Sequence, residues 1–348
     1  MTGYWLSRGF YYYDKMRTRF LFFNRIRQYN KNRSNRRVEF EKLRLPFLRV
    51  RYQPKYRYCN YSCSYCIAGH NNKGILKREW NPDRYDAIIQ GIYQLPYKID
   101  LRLGLGGEIF TSEHIMRSVI SMTEKEKTHC VNLISNLSLR KDRLTEFLER
   151  CDCSKLAMVT SYHPEQVERL EDYLENVRLL KNYDVPVTVV MVALPSAFKE
   201  IERMSEVCKG EAIHFFLQPM IGKYNKKRYP KAYTGEERKF LERYFYSEHD
   251  YEYMVEMKKP GLCFAGVDFI HIDNIGRCFQ CCVSSKYIGN ILRGKIRLDE
   301  FPAFCPLRRC QCDTQNINLV DFRLKYEHFT LNQHIYIARD RTGDVVKQ

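Results

Sequence analysis

The sequence predicts an α/β protein: six β-α units around a parallel sheet, followed by a small cysteine-rich C-terminal domain. Two observations predict it. Short β-branched and aromatic runs alternate with segments of helical period, which is the sequence form of repeated β-α units. Beyond them, seven of the 14 cysteines fall between Cys263 and Cys312.

In chain order, candidate strands cover residues 48–52, 101–105, 131–134, 156–160, 187–192 and 214–217. Each is dominated by aliphatic or aromatic side chains, which fit a pleated, buried surface. Candidate helices interleave at residues 84–93, 113–122, 143–150, 165–180, 201–207 and 236–246, where apolar residues recur every three to four positions. Two further short strands are expected at 269–272 and 277–280, with Gly276 in the hairpin turn between them.

A chain of 348 residues that is 44% hydrophobic and 28% charged can bury a sizeable core, which excludes a disordered chain. Apolar runs such as Phe20 to Phe23 and Val189 to Leu194 fall far short of the ~20 residues that span a bilayer. The basic, tyrosine-rich N-terminus has no signal-peptide core, so a cytosolic location is expected. In a long chain of this kind cysteines bind metal or stay reduced. Cys130, Cys151, Cys153 and Cys208, which stand apart from both cysteine groups, are expected to be buried thiols.

The net charge of +17 is concentrated at one end: residues 1–58 hold sixteen Lys or Arg against three Asp or Glu. An arm at residues 1–47 therefore carries most of the basic character. Within it Phe10, Tyr13, Met16, Phe20 and Phe23 recur at helical spacing among Lys15, Arg17, Arg19, Arg25 and Arg27. Such a basic amphipathic helix suits an anionic membrane surface or a polyanion, or its aromatic stripe docks on the rest of the protein. No nucleic-acid-binding motif supports the polyanion, so nucleic acid is not the expected partner.

The sharpest motif is Cys59, Cys63 and Cys66, a C-x3-C-x2-C loop just after the first predicted strand. Thiolates are the usual protein ligands of iron-sulfur clusters, and three on one loop fix a four-iron cube while leaving one iron open. Structural zinc is the rival, but such sites are closed by a fourth ligand, and no matching C-x2-C or H-x3-H pair accompanies this loop.

With aromatic Tyr65 before the last cysteine, this loop resembles the signature of the radical S-adenosylmethionine (radical SAM) superfamily. That resemblance covers roughly residues 48–315. It implies a partial (β/α)6 TIM-like barrel over residues 48–250, with the chemistry at the C-terminal ends of the strands. It also implies a [4Fe-4S] cluster on Cys59, Cys63 and Cys66 whose open iron chelates S-adenosylmethionine. One electron then breaks the sulfonium bond, and the resulting 5′-deoxyadenosyl radical abstracts a substrate hydrogen. Gly106, Gly107 and Glu108 resemble the family's GGE motif, which holds the methionine amino group. Ser135, Asn136 and Ser161 stand where family members place polar residues against the cofactor, alongside Tyr65. Turn residues bonding their own backbone would look the same. Tyr162 and His163 extend into the same mouth, where His163 is either a substrate-facing residue or a structural one.

The second cysteine group, residues 255–315, resembles the SPASM and twitch extensions of that superfamily, which bind auxiliary four-iron clusters. Cys263, Gly276 and Cys281 match the first half of the pattern, and Cys305, Cys310 and Cys312 stand in a shorter second half. The resemblance implies a second [4Fe-4S] cluster on Cys263, Cys281, Cys305 and Cys310, with Cys312 able to substitute and Cys278 and Cys282 spare. Four thiolates also describe a structural zinc site. An auxiliary cluster would accept an electron from a substrate radical or support the pocket, while a spare thiol could return a hydrogen atom.

The expected function is therefore a radical SAM enzyme of oxidoreductase or epimerase type, acting on a carbohydrate-like small molecule or a peptide by oxidation, epimerisation or cross-linking. Its expected partners are that substrate, an electron donor such as flavodoxin or ferredoxin, and an anionic membrane surface through residues 1–47. The alternative is a non-catalytic iron-sulfur or zinc scaffold whose arm binds a membrane or nucleic acid. Residues 316–348 form a C-terminal tail to which the sequence assigns no chemistry.

Overall fold

The computed structural model describes residues 27–29, 37–56, 58–66, 80–104, 106–245, 251–253, 255–256, 258, 260–307, 310 and 317–325. The amphipathic pattern from Phe10 to Phe23 lies outside the described residues, as does Cys312.

After helix α1 (Arg37–Leu43), strand β1 (Leu48–Tyr52) opens a run of β-α units. It continues as α2 (Pro82–Gln94), β2 (Ile99–Leu103), α3 (Glu113–Thr123), β3 (Thr128–Ser135), α4 (Lys141–Glu149), β4 (Leu156–Tyr162), α5 (Leu170–Asn182), β5 (Val187–Ala193), α6 (Phe198–Gly210) and β6 (His214–Pro219). The six strands lie side by side in chain order, each parallel to the next. Residues after β6 form a small hairpin, β7 (Gly222–Tyr224) and β8 (Lys227–Tyr229), and then α7 (Gly235–Glu242).

The helices begin where their sequences provide caps. The Asn81 side chain accepts the Arg84 amide and Pro82 opens α2; Ser112 does the same for the Ile115 amide in α3. Thr234 and Glu237 form a reciprocal capping box on α7. On β2 the alternate residues Ile99, Leu101 and Leu103 are apolar and all 0% exposed. Burying side chains of this kind contributes roughly 1.5–3 kcal/mol each.

The C-terminal segment joins the same sheet. After β9 (Leu262–Cys263), strand β10 (Phe269–Ile272) pairs with β1 in parallel, placing Arg49 beside Phe269 and Arg51 beside His271. The strands β11 (Arg277–Phe279), β12 (Tyr287–Asn290) and β13 (Lys295–Ile296) extend it antiparallel. The result is a ten-stranded open sheet that ends at β6 and β13, a partial TIM-type barrel with an antiparallel extension. Strand β14 (Ala303–Phe304) pairs with β9, and α8 (Val320–Lys325) closes the described chain.

Arg323 of α8 fastens this arrangement. Its guanidinium forms a bidentate pair with Asp268 at 2.6 and 2.9 Å, donates to the Ile317 carbonyl, and lies 4.2 Å from the centre of the Phe264 ring. Asp268 also accepts the Leu45 amide, and its carbonyl accepts the Arg49 amide. Asp268 thus ties α8, the entry to β1 and the start of β10 together.

The eight strands expected from sequence are all present in the expected order, with shifts at their ends, and β7, β8, β9, β12, β13 and β14 add to them. The second strand runs from Ile99 to Leu103 rather than from 101 to 105, and the Gly104 amide makes the last bond to β1, to the Tyr52 carbonyl. The helix expected from 165 starts at Leu170. The intervening residues hold the cysteine loop instead, as described below. Among the described residues no helix is long and apolar enough to cross a membrane.

Candidate active site

Strand β1 delivers the chain to the C-terminal edge of the sheet, and the loop that follows carries Cys59, Cys63 and Cys66. Cys63 is buried, and Cys59 and Cys66 are partly so. Burial pushes the Cys63 thiol up to about 12, and the nearby Cys66 and Cys59 add to the shift. Burial raises Cys59 as well, against the Tyr61 amide, which points at its sulfur from 3.5 Å. The three sulfurs are thus electrostatic neighbours, and the raised Cys59 and Cys63 thiols stay protonated until a metal displaces their protons. Three clustered soft donors fit an iron-sulfur cluster.

The glycine pair after β2 has a function in packing. A β-carbon on Gly107 would stand 2.5 Å from the Tyr56 carbonyl oxygen and 2.6 Å from that of Tyr58, so only glycine lets this turn press against the chain entering the cysteine loop. Gly106 beside it is left-handed, with φ of 68°. The Glu108 amide then donates to the Tyr58 carbonyl at 2.6 Å.

The Glu108 carboxylate is 2% exposed and accepts three hydrogen bonds, from the Ser135 hydroxyl at 2.8 Å, the Asn136 amide at 2.6 Å and the Phe110 amide at 3.1 Å. Burial holds its pKa up to about 6 despite these donors. Glu108 therefore brings the end of β3 to the GGE turn. The Ser135 hydroxyl is occupied by Glu108 and by the Leu137 amide. The Asn136 side-chain amide turns to the cysteine loop, donating to Asn60 Oδ1 at 3.1 Å and lying 3.9 Å from the Cys59 sulfur. Ser161 is partly buried on β4, level with Val190 of β5.

The end of β4 supplies contacts that the sequence did not single out. His163 Nδ1 lies 3.3 Å from the Cys63 sulfur and 2.9 Å from the Tyr65 hydroxyl, and the His163 and Tyr65 rings stack at 23°. Burial lowers the His163 pKa to about 4, so the ring is neutral near pH 7. Glu165 accepts both the Ser64 amide and its hydroxyl, at 2.8 and 2.6 Å, and Gln166 accepts the Ser62 amide at 2.9 Å. These side chains grip the loop between its cysteines, which is why α5 starts later than its periodicity suggests. Tyr162, beside them, is buried against Tyr173 of α5.

The second group converges on a different cavity. Cys263, Cys281, Cys305 and Cys310 line one small enclosed space together with Leu307 and Leu319. All four are buried, and burial is the chief cause that raises the Cys263 and Cys305 thiols. Among the described residues no three potential ligands meet at the spacing of a single bound ion; four thiols around one cavity are a donor set that fits a cluster. Cys278 is fully buried on the hairpin, with its sulfur near the Gly276 carbonyl, whereas Cys282 is partly exposed and accepts a hydrogen bond from Arg51 at 3.0 Å. Of the four thiols expected to be buried, Cys130 and Cys208 are; Cys151 and Cys153 are only partly so, because they follow α4 in an exposed turn.

No protein-family model matches the chain, and no characterised protein matches its sequence. Solved structures do match. One is anSMEcpe with bound AdoMet, at a TM-score of 0.51 and 15% identity over 71% of this chain and 76% of that one. The same protein with bound AdoMet and Kp18Cys peptide gives 0.50 and 11% over 73% and 81%. SuiB of Streptococcus suis bound to S-adenosylmethionine gives 0.50 and 15% over 76% and 68%. The chain therefore shares the partial-barrel fold of these structures.

Proposed function

We propose that this protein is a radical SAM enzyme with a catalytic [4Fe-4S] cluster on Cys59, Cys63 and Cys66 and an auxiliary one on Cys263, Cys281, Cys305 and Cys310. The observation that carries this is a loop of three clustered thiols at the C-terminal edge of an open β/α barrel, packed against a glycine turn that only glycine can form. All three matched structures named above hold AdoMet or S-adenosylmethionine on the same fold, which supports the cofactor. When bound, the cluster and S-adenosylmethionine supply a 5′-deoxyadenosyl radical that takes hydrogen from an unactivated carbon.

The chain's own residues position and shield that chemistry. Glu165 and Gln166 fix the loop amides, His163 and Tyr65 pack on Cys63, and Glu108 joins the glycine turn to β3. Gly106, Gly107, Asn136 and Ser161 complete the proposed cofactor side of the mouth. The reaction class is oxidation, epimerisation or cross-linking of a peptide or small molecule; the peptide in one matched structure favours the former substrate. A flavodoxin or ferredoxin would deliver the electron, and the basic arm would provide any membrane contact.

The test is production of 5′-deoxyadenosine from S-adenosylmethionine by anaerobically reconstituted protein with dithionite. The parent is expected to form it, and the variant with Cys59, Cys63 and Cys66 all changed to Ala is not. Equal product from both, or none from a parent with a confirmed reducible cluster and bound S-adenosylmethionine, would count against the assignment.

A further inference from the structure

A basic hairpin stands at the mouth of the barrel, beside its open edge. From Ile221 to Tyr233 the chain carries five Lys or Arg and no Asp or Glu. Lys223, Lys226, Lys227, Arg228 and Lys231 are all exposed, and none makes an ion pair among the described residues. Strands β7 and β8 are joined by a two-residue turn, Asn225 and Lys226, both left-handed with φ of 47° and 63°, the geometry that matches the twist of a hairpin. Register sets Lys223 directly opposite Arg228. Like charges so placed repel, and the pairing costs the hairpin stability.

The rest of the segment holds the hairpin in place against that repulsion. Its other face is aromatic: the Tyr229 ring packs edge-on against Tyr224 and Tyr233, and the Tyr224 hydroxyl lies 2.9 Å from that of Ser196. The Tyr233 hydroxyl donates to the Ala193 carbonyl at 2.6 Å and accepts the Met220 amide at 2.8 Å, which fixes the base of the hairpin to the ends of β5 and β6. Arg238 of α7 donates to the Pro230 and Tyr233 carbonyls. Glu237, whose charge reaches Tyr229 and Tyr233, is bound to the Thr234 amide as a helix cap. The cations are therefore presented on a fixed element. Strand β6 is the last of the sheet, and its C-terminal end lies on the same side as the cysteine loop after β1. A macromolecule held by the hairpin thus meets the open edge of the barrel, at the far end of the parallel set from the strand that carries the cysteine loop.

We propose that this hairpin docks an acidic segment of a peptide substrate, with Lys223 and Arg228 as its central contacts. The assignment rests on the radical SAM reading and selects a peptide among its substrates. A carboxylate set between Lys223 and Arg228 turns a repulsive pair into an attractive triad, and charge complementarity of this kind speeds and orients encounter. An acidic electron donor would suit the same charges, but its electron must reach the loop that follows β1, whereas the hairpin follows β6. A substrate entering the open edge has no such distance to cross.

The test uses the reconstituted full chain and a fluorescein-labelled decapeptide of alternating Glu and Ala, read by anisotropy at low and high salt. The parent is compared with a hairpin variant, Lys223→Gln with Arg228→Gln, and with a helix variant, Arg117→Gln with Lys209→Gln, which removes the same charge from exposed positions on α3 and α6. The parent is expected to bind the peptide, and less tightly at high salt. The hairpin variant should lose roughly five- to tenfold in affinity, and the helix variant should stay within about twofold of the parent. The hairpin variant should also unfold at a midpoint no lower than the parent's, because it has lost a repulsion. Equal affinity in the parent and the hairpin variant overturns the proposal, as does an equal loss in the helix variant. A fall of more than about twofold in flavodoxin-driven cluster reduction in the hairpin variant overturns it too, by assigning the hairpin to the electron donor. Loss of binding to phosphatidylserine vesicles in the hairpin variant alone would assign it to a membrane instead. Failure of the radical reading would be seen separately, as absent 5′-deoxyadenosine with hairpin-dependent peptide binding intact.

Discussion

His163 Nδ1 stands 3.3 Å from the sulfur of Cys63, although the two residues are 100 positions apart in the chain. A buried, neutral imidazole beside a cluster ligand can donate its N–H to the thiolate, and hydrogen bonds to ligand sulfur raise a cluster's potential. His163→Phe keeps a ring for stacking on Tyr65 and removes the donor. The reconstituted variant is expected to hold its iron and show a lower reduction potential in an EPR-monitored titration. An unchanged potential would reduce His163 to packing alone.

Gly107 gives a sharper structural test. The β-carbon of Gly107→Ala meets two backbone carbonyl oxygens rather than a flexible side chain, so the turn or the cysteine loop must shift. A loss of about 1–3 kcal/mol in denaturant unfolding is expected, together with reduced iron incorporation. The same change at Gly210, which has open space around it, is the control.

Arg323→Met should be among the most damaging single changes outside the site. It leaves Asp268 buried and uncompensated, which costs about 3–5 kcal/mol. The double variant with Asp268→Asn should recover part of that loss in urea unfolding, since neither charge then remains.

Glu108 predicts an inverted pH dependence. Its folded pKa of about 6 lies above the ordinary 4.5, so between those values the folded protein keeps a proton that the unfolded chain has released. Stability contributed by this group therefore falls as pH rises through that window, by about 2 kcal/mol in all. Asp100, raised from 3.8 to about 6 by burial, acts in the same direction. Glu108→Gln should flatten the slope of unfolding free energy between pH 4.5 and 6 relative to the parent, and Asp100→Asn should do so independently.

What was legible in the sequence was local. The strands announced themselves through aliphatic runs, and the two cysteine groups through spacing, so the partial barrel and the four thiols around one cavity could be anticipated. The pairing of Arg49 with Phe269 could not, because parallel contact between strands so distant in sequence leaves no short-range pattern. The grip of Glu165 and Gln166 on the cysteine loop was hidden by helical periodicity. Pro164 was the available signal, since proline disfavours helical backbone in the residue before it and marks a helix boundary. The buried pair of Arg49 with Asp100 appears only when alternation along β1 and β2 is combined with their register.

Strand β1 is hydrogen-bonded on one edge to β2, which leads to the glycine turn, and on the other to β10, which leads to the second thiol cavity. Cys281 therefore stands on a loop of the same ladder as the first cysteine loop, whereas Cys263 and Cys305 reach the second cavity from the separate pair of β9 and β14. Displacing that pair would open the second thiol cavity and leave the first cysteine loop in place.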